Sequence, residues 1–194
     1  MSEHYYTSVP ESESRPFEFE AESLGQKLVF ACDRGVFSKG EIDEGTRILL
    51  ETLSNVSGRV LDLGCGWGPV GITLGKLYPD LSIIMSDVNQ RAVDLAKTNI
   101  IKNGIRNAEA IVSDGFEKIE GTFDCIITNP PIRAGKQTIY RMFDDAIERL
   151  NPEGSLYIVI RRQQGAESAL KHLGERARVI EKEKGFWVIE AKGE

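Results

Sequence analysis

Residues 59–73 read Arg-Val-Leu-Asp-Leu-Gly-Cys-Gly-Trp-Gly-Pro-Val-Gly-Ile-Thr. A short apolar run breaks into four glycines within eight residues, and an apolar pattern with helical spacing follows over residues 70–77. Glycine suits such a turn because it takes positive φ and, without a Cβ, lets backbone N–H groups approach a ligand. The start of the helix adds a partial positive charge. The stretch therefore predicts a strand, a ligand-binding turn and a helix.

The glycine spacing has two interpretations. The register Gly66–Gly71 follows G-x-G-x-x-G, and Asp87 lies about 20 residues further on, as in a dinucleotide site. The register Gly64–Gly68 follows G-x-G-x-G and places Asp62 in the strand before the turn. A nicotinamide-dependent oxidoreductase would use the first register, but it gives Asp62 no role. We therefore prefer the second register and keep the first as an alternative.

Composition indicates an ordinary globular protein. With 194 residues, 41% of them hydrophobic and 28% charged, the chain suits one domain that needs no metal or disulfide. No apolar run approaches the ~20 residues of a membrane span, and the acidic first 13 residues do not resemble a signal peptide. We expect a cytoplasmic protein, with its oligomeric state left open between monomer and homodimer. A net charge of −6 argues against a sequence-independent nucleic-acid binder, though it allows a small basic patch.

The three cysteines, Cys32, Cys65 and Cys125, are far apart and show no C-x-x-C pairing. This spacing suggests neither a zinc site nor a disulfide framework, so we expect buried thiols and no metal.

The rest of the chain predicts an α/β fold. Residues 1–16 read as an extended arm, 17–20 and 28–31 as a small hairpin, and Asp43 as the N-cap of the next helix. After the glycine turn, strands alternate with helices, which implies a parallel sheet covered on both faces, and two closing strands add an antiparallel edge. Further strands are predicted over residues 81–86, 108–112, 123–128, 155–160, 177–181 and 186–191, and further helices over 89–103, 137–150 and 166–173.

Polar or glycine-rich residues follow four successive strands: Gly64–Gly68, Asp87, Asp114 and Asn129. In an open α/β sheet, ligands bind beyond the carboxyl ends of the strands, so we expect these residues along one edge. Asp87 could accept two hydrogen bonds from ribose hydroxyls or cap the following helix. Asp114 could accept from an adenine amine or form an Asx-turn. Adenosine itself suits both S-adenosylmethionine and a dinucleotide.

The sequence Asn129-Pro130-Pro131-Ile132 suggests the chemistry. An amine on an aromatic ring is a poor nucleophile because its lone pair is delocalised. If the Asn129 side-chain oxygen and the Pro130 carbonyl each accept one N–H, the nitrogen becomes more electron-rich and is aimed at an electrophile. When the leaving group is a neutral thioether, no strong base is needed.

Together, the glycine turn with Asp62 and the Asn-Pro-Pro-Ile sequence resemble class I S-adenosylmethionine-dependent methyltransferases. The second motif is similar to the N-P-P-[FYWI] motif of amino methyltransferases, which modify exocyclic amines of nucleobases or a glutamine amide. The resemblance implies a Rossmann-like fold with a seven-stranded, mostly parallel sheet and an antiparallel C-terminal strand. Ile132 replaces the usual aromatic residue, which leaves the stacking partner of a target base unassigned.

A closer resemblance spans nearly the whole chain. His4-Tyr-Tyr, Gly35-Val-Phe-Ser-Lys, Ile42-Asp-Glu-Gly-Thr and Lys184-Gly-Phe-Trp-Val-Ile are similar to the methyltransferase small-domain family, relatives of the 16S ribosomal RNA guanine-N2 methyltransferase. It implies that residues 17–42 form a hairpin and a segment covering the cofactor, and that 43–194 form the catalytic core. The rivals are methylation of a protein glutamine or another amine, and a non-catalytic RNA-binding module.

The resemblance and the local charge together predict three groups of site residues. Asn129, Pro130, Pro131 and Ile132 would receive the guanine amine. S-adenosylmethionine would contact Phe37, Ser38, Lys39, Asp62, Gly64, Cys65, Gly66, Gly68, Asp87, Val88, Asp114 and Asn129. Ribosomal RNA phosphates would meet basic residues around the strand ends, namely Arg133, Lys136, Arg161 and Arg162.

Overall fold

The computed structural model of the protein describes residues 15–33, 40–54, 56–131 and 134–193. No helix within these ranges is long and apolar enough to cross a membrane. The elements in chain order are β1 (Pro16–Ser23), β2 (Gln26–Asp33), α1 (Glu44–Thr52), β3 (Arg59–Leu63), α2 (Pro69–Leu77), β4 (Ser82–Asp87), α3 (Gln90–Lys102), β5 (Ala108–Val112), β6 (Phe123–Thr128), α4 (Lys136–Glu148), β7 (Leu150–Arg161), α5 (Ala166–Leu173), β8 (Ala177–Glu183) and β9 (Phe186–Lys192).

The main sheet has seven strands in the order β5-β4-β3-β6-β7-β9-β8. Neighbouring strands from β5 to β7 are parallel, and β9 is antiparallel to both β7 and β8. The chain proceeds from β3 to β4 and β5 on one side and then returns to β6 on the other side of β3. The strand order therefore reverses next to β3, which is where ligands bind in such sheets.

The predicted α/β class and the seven-stranded, mostly parallel sheet are confirmed, with one difference in detail. The antiparallel strand is not at the edge, because β9 lies between β7 and β8. The edge strand β8 consequently runs in the same direction as the parallel strands.

The two faces of the sheet are covered by different helices. One core includes Ile48 of α1, Ile72 of α2 and Val93 of α3, together with the β1–β2 hairpin. The other includes Phe143 of α4 and Ala169 of α5. All five of these side chains are at most 1% exposed, so the sheet is buried on both sides, as a parallel sheet must be.

The connection from α4 to β7 differs from the sequence prediction. The helix was predicted to reach Leu150 and the strand to start at Ser155, but α4 ends at Glu148 and β7 already begins at Leu150. The Arg149 carbonyl accepts a hydrogen bond from the Phe123 N–H (2.8 Å), and Leu150 pairs with Phe123 in the sheet. Pairing with β6 therefore prevails over the helical spacing of Leu150.

The N-terminal hairpin, β1–β2, is longer than predicted and turns at Leu24-Gly25, where both residues have positive φ (49° and 74°). Asn99 of α3 and Asn103, the C-cap of that helix, attach its outer edge. The Asn99 carboxamide accepts from Ala31 N–H (2.7 Å) and donates to Ala31 O (3.0 Å). Asn103 makes the same pair of bonds with Val29 (3.0 and 2.9 Å).

This attachment is possible because the spacing of side chains along the helix nearly equals the spacing of bonding groups along the strand. Residues four apart in a helix are about 6 Å apart along its axis, and residues two apart in a strand are separated by about 6.7 Å. The two carboxamides, at the last turn and the C-cap of α3, therefore act as a strand-like ladder and satisfy the edge of β2, which would otherwise be open to pairing.

Candidate active site

The glycine turn lies at the carboxyl end of β3, next to the point where the strand order reverses. Gly64, Gly66 and Gly68 have φ values of 76°, 56° and 95°, a region that favours glycine. The N–H groups of Gly64 and Cys65 both donate to the Ser86 carbonyl at 2.8 Å, which ties the turn to β4. All three glycines of the preferred register are therefore required by the backbone.

Asp62 links the strand before the turn to the helix after it. Its Oδ2 accepts from the Gly71 N–H at 3.0 Å, one of the N–H groups in the first turn of α2 that has no partner within the helix. The N-cap of α2, Gly68, offers no side chain, so Asp62 supplies the missing acceptor from β3. Burial raises the pKa of Asp62 to about 7, with a further contribution from the charge of Asp87.

Asp87 connects the end of β4 to the same turn. Oδ2 accepts from the Gly66 N–H and Oδ1 from the Asn89 N–H, both at 2.9 Å. Burial raises the pKa of Asp87 against the effect of these backbone donors. Asn89, not Asp87, caps α3 through its own Oδ1, so the capping role considered for Asp87 is wrong.

The other residues predicted to contact the cofactor differ in accessibility. Cys65 is buried inside the turn, and burial, followed by the charges of Asp62 and Asp87, raises the pKa of its thiol. Val88 is half-buried after β4. Asp114 is exposed after β5. Ser113, rather than Asp114, makes the side-chain bonds of that turn, since its Oγ accepts from the Lys118 N–H at 3.1 Å; the Asx-turn considered for Asp114 is therefore wrong.

Asn129, Pro130 and Pro131 leave the end of β6 on the other side of β3. The Asn129 Nδ2 lies 3.2 Å from Asp43 Oδ1 and 3.2 Å from Thr46 Oγ1, at the start of α1. The Pro131 carbonyl accepts from the Ala134 N–H at 2.9 Å. Along the described ranges, no N–H group donates to the Pro130 carbonyl.

Trp67 and Asn99, which the sequence analysis did not assign to the site, attach the glycine turn to the rest of the fold. The Trp67 ring packs edge-on against Phe30 (4.6 Å between centroids) and Phe19 (5.5 Å) of the hairpin. The Trp67 carbonyl accepts from Asn99 Nδ2 at 2.8 Å. Trp67 stands in the predicted turn, but its partners are 32 and more residues away, so no local pattern could have identified them.

Three of the four basic residues predicted to meet RNA, Lys136, Arg161 and Arg162, are exposed near the carboxyl ends of β6 and β7. The Arg161 guanidinium lies 4.2 Å from the centre of the Phe186 ring, and Lys136 Nζ lies 5.3 Å from that of Tyr140. Arg162 pairs with Glu167 at 2.9 Å. Arg161 and Lys136 are thus the better placed of these cations for a phosphate.

Five predicted site residues lie outside the described ranges and stay predictions: Phe37, Ser38, Lys39, Ile132 and Arg133.

A cavity of about 700 Å³ lies toward the amino ends of the parallel strands, opposite the glycine turn. It is lined by Ser155, Tyr157, Arg178, Glu190 and Lys192, among others. Its charges compensate one another: Glu190 binds Arg178 (2.7 Å) and Lys192 (3.1 Å) and accepts from the Tyr157 hydroxyl (3.2 Å). Burial alone would raise the pKa of Glu190, but the two cations outweigh it and hold that pKa below its usual value. These contacts join β7, β8 and β9 and are remote from the glycine turn.

Comparisons with known proteins agree with this arrangement. The family model for the methyltransferase small domain matches residues 27–190. The uncharacterized protein YbxB of Bacillus subtilis strain 168 is 42% identical, over 99% of both chains. The ribosomal RNA small subunit methyltransferase C of Actinobacillus pleuropneumoniae serotype 7 (strain AP76) is 34% identical, over 95% of this chain and 57% of its own.

Among solved structures, the T. thermophilus 16S rRNA N2 G1207 methyltransferase RsmC, in complex with AdoMet and guanosine, superposes with a TM-score of 0.82 at 26% identity. The match covers 94% of this chain and 51% of that one. The chain thus spans about half the length of the named ribosomal RNA methyltransferases that it matches. The predicted family is confirmed: the chain belongs to the methyltransferase small-domain family.

Proposed function

We propose that the protein transfers a methyl group from S-adenosylmethionine to the exocyclic N2 amine of a guanine in ribosomal RNA. The observation that carries the proposal is the placement of the glycine turn, Asp87 and Asn129-Pro130 at the carboxyl ends of three neighbouring strands. That the chain is an S-adenosylmethionine-dependent methyltransferase follows from its family and from its likeness to RsmC, so the predicted reaction class and methyl donor are confirmed. The guanine N2 target and the RNA are the proposed part.

The residues present fit this donor. Gly64 is exposed, and a Cβ built on it would meet no atom within 4 Å, so the turn is open to a ligand on that side. Asp62 and Asp87 are at most 4% exposed, and burial raises the pKa of each, because a negative charge there is poorly solvated. A cationic ligand is favoured beside two buried acidic groups of this kind. Gly64, Gly66, Gly68 and Asp87 would hold the donor, which supplies an electrophilic methyl group on a sulfonium.

Asn129 and Pro130 would bind the target amine. A carboxamide oxygen and a proline carbonyl are both acceptors, so together they take the two N–H groups of an exocyclic amine and leave its lone pair pointing away. The Pro130 carbonyl suits this role, since no N–H in the described ranges occupies it. Holding the amine in one orientation contributes to the rate by removing the entropic cost of alignment.

RNA is supported by local charge rather than by the composition. Arg161 and Lys136 are exposed on the same edge as Asn129, and neither is paired with a carboxylate within the part of the chain that the structure describes. Each phosphate contact would make binding weaken as salt rises. A protein glutamine has the same amide N–H groups but offers no phosphates for these cations.

Methyl transfer tests the proposal directly. Purified protein is incubated with radiolabelled S-adenosylmethionine and either deproteinised 16S ribosomal RNA or small subunits that lack the modification, and digested nucleosides are identified by mass spectrometry. We expect N2-methylguanosine, and a loss of roughly 100-fold or more in Asn129→Ala, comparable to the loss of one oxyanion donor. The matched control, Asn107→Ala, removes a carboxamide that, in the described part of the chain, bonds only the Tyr78 carbonyl, and it should keep the wild-type rate. Label in protein, or in a different base, would reject the guanine N2 target.

Calorimetry separates binding from transfer. Wild type should bind S-adenosylmethionine and S-adenosylhomocysteine but not NAD, and Asp87→Ala should weaken both. Asn129→Ala should lose far less cofactor affinity than transfer rate, because the main predicted role of Asn129 is toward the amine. A loss of cofactor affinity in Asn129→Ala equal to its loss of rate would contradict the assignment of Asn129 to the amine.

A further inference from the structure

The start of α1 holds the Asn129 carboxamide in one orientation. A carboxamide has an acceptor end and a donor end, and only the acceptor end can bind the N–H of a target amine. Which end faces the substrate depends on what the other end touches. Asp43 and Thr46 are the groups that touch it, although they lie 86 and 83 residues away in the chain.

Both partners of Asn129 are obliged to accept. Asp43 is the N-cap of α1, and its Oδ1 accepts from the Thr46 N–H at 3.1 Å. The Thr46 hydroxyl gives its only proton to Asp43 Oδ2 at 2.6 Å. The Thr46 oxygen and the Asp43 carboxylate can therefore offer only lone pairs to Asn129. The group that lies 3.2 Å from each must be the Nδ2 amide, which directs Oδ1 away from α1.

The tip of the β8–β9 hairpin fixes α1 in this position. The Phe186 ring presses on Gly45, between Asp43 and Thr46; a Cβ there would lie 2.9 Å from Phe186 Cε1 and 3.2 Å from Asp43 Oδ1. Lys184 Nζ lies 2.6 Å from Glu44 Oε1, next to that glycine. This ion pair is exposed and weak by itself, but together with the Phe186 contact it connects the hairpin tip to the first turn of α1.

We propose that Asp43 and Thr46 are positioning residues for methyl transfer: they bind the Asn129 Nδ2 amide and so present its Oδ1 to the target amine. This inference rests on the proposed function of Asn129. It gives the Asp-Glu-Gly-Thr sequence at the start of α1 a role in the reaction, and it gives the Lys184-Gly185-Phe186 tip the role of holding that sequence in place.

The test compares Thr46→Val, which removes the acceptor and keeps the shape, with Thr46→Ser, which keeps the hydroxyl. Thr52→Val is the matched control, because Thr52 Oγ1 donates only to the Ile48 carbonyl near the other end of the same helix. We expect the single-turnover rate of Thr46→Val to fall about five- to tenfold, the effect of losing the one hydrogen bond that Thr46 accepts from Asn129. Thr46→Ser and Thr52→Val should stay within twofold of wild type, and all variants should bind S-adenosylmethionine and RNA with wild-type affinity.

A second measurement does not depend on turnover. In ¹⁵N-labelled protein, with the Asn129 side-chain signal assigned by its loss in Asn129→Ser, the Nδ2 protons should exchange slowly with water. Exchange should be several-fold faster in Thr46→Val and unchanged in Thr46→Ser. If wild type transfers no methyl group to RNA but these protons stay protected, the proposed function fails and the orientation stands. Wild-type transfer by Thr46→Val, or free-amide exchange in the wild type, would overturn the inference.

Discussion

Replacing Asn99 by alanine should release the N-terminal hairpin from α3. Asn99 is fully buried, and its carboxamide makes three bonds: it accepts from Ala31 N–H and donates to the carbonyls of Ala31 and Trp67. Alanine leaves all three of these partners without their bond to the carboxamide, in the interior of the protein. Because a buried N–H is more expensive to leave unpaired than a carbonyl, the Ala31 N–H should account for much of the loss.

The expected magnitude is large for one side chain. An unsatisfied buried group costs about 1–3 kcal/mol, so one N–H and two carbonyls together suggest a loss of roughly 3 kcal/mol in the free energy of unfolding. For a domain of this size, about 1 kcal/mol shifts Tm by about 2–4 °C, which predicts a decrease of roughly 6–12 °C. Affinity for S-adenosylmethionine should also fall several-fold, because the Trp67 carbonyl belongs to the glycine turn.

Urea and thermal unfolding measure the first effect, and calorimetric titration measures the second. The matched control is Asn107→Ala, since Asn107 makes a single bond to the Tyr78 carbonyl (3.0 Å) in an exposed position; its loss should stay below about 1 kcal/mol. Asn99→Asp sharpens the comparison, because it keeps an acceptor for Ala31 but removes both donated bonds and buries a charge. If Asn99→Ala is no less stable than Asn107→Ala, the carboxamide ladder does not hold the hairpin.

Three further predictions use other contacts. Asp62 keeps its proton up to pH about 7 in the folded chain and loses it near 3.8 when unfolded. The free energy of unfolding of the wild type should therefore fall by about 2 kcal/mol between pH 5 and 7.5, and that of Asp62→Asn by much less. Equal dependence on pH in the two proteins, measured by urea unfolding, would refute this. Gly71→Ala would place a Cβ 2.5 Å from Met85 Cγ, which should lower the free energy of unfolding by about 1–3 kcal/mol. In a Met85→Ala background the same substitution should cost much less, and additive losses in this double-mutant cycle would contradict the contact. The thiols of Cys32, Cys65 and Cys125 are buried and their pKa values are raised. A disulfide reagent at pH 8 should therefore modify them only when the protein unfolds, and rapid labelling of the native protein would contradict their burial.

The sequence was sufficient for the fold and for the edge where the site lies. Alternating strands and helices specify a parallel sheet, and the four polar strand ends must then meet on one side. The glycine registers could not be separated by spacing alone, since Gly71 packs against Met85 and would do so in either case. The positive φ of Gly64 and the bond from Gly71 N–H to Asp62 favour the preferred register.

The contacts that support the site were not predictable from local patterns. Asp43 was correctly predicted as a helix N-cap, but nothing near it in sequence indicates that its carboxylate also binds Asn129. Asn99 reads as one polar position on an amphipathic helix, which is ordinarily exposed, yet it is completely buried. Both cases depend on how distant elements dock, and a periodic pattern carries no information about docking.

The two halves of the site are held by different parts of the chain, and this predicts separable effects. The hairpin supports the glycine turn through Asn99 and Trp67, whereas the β8–β9 tip supports Asn129 through α1 and Thr46. Among the described residues the two sets share no hydrogen-bond partner, so the losses in the single-turnover rate at saturating cofactor should add within about 0.5 kcal/mol in the double variant Thr46→Val/Asn99→Ala. Asn99→Ala should mainly weaken cofactor binding and Thr46→Val mainly slow transfer. A coupling energy above about 1 kcal/mol would mean that the turn and the Asn129 carboxamide move together, and that their supports are not independent.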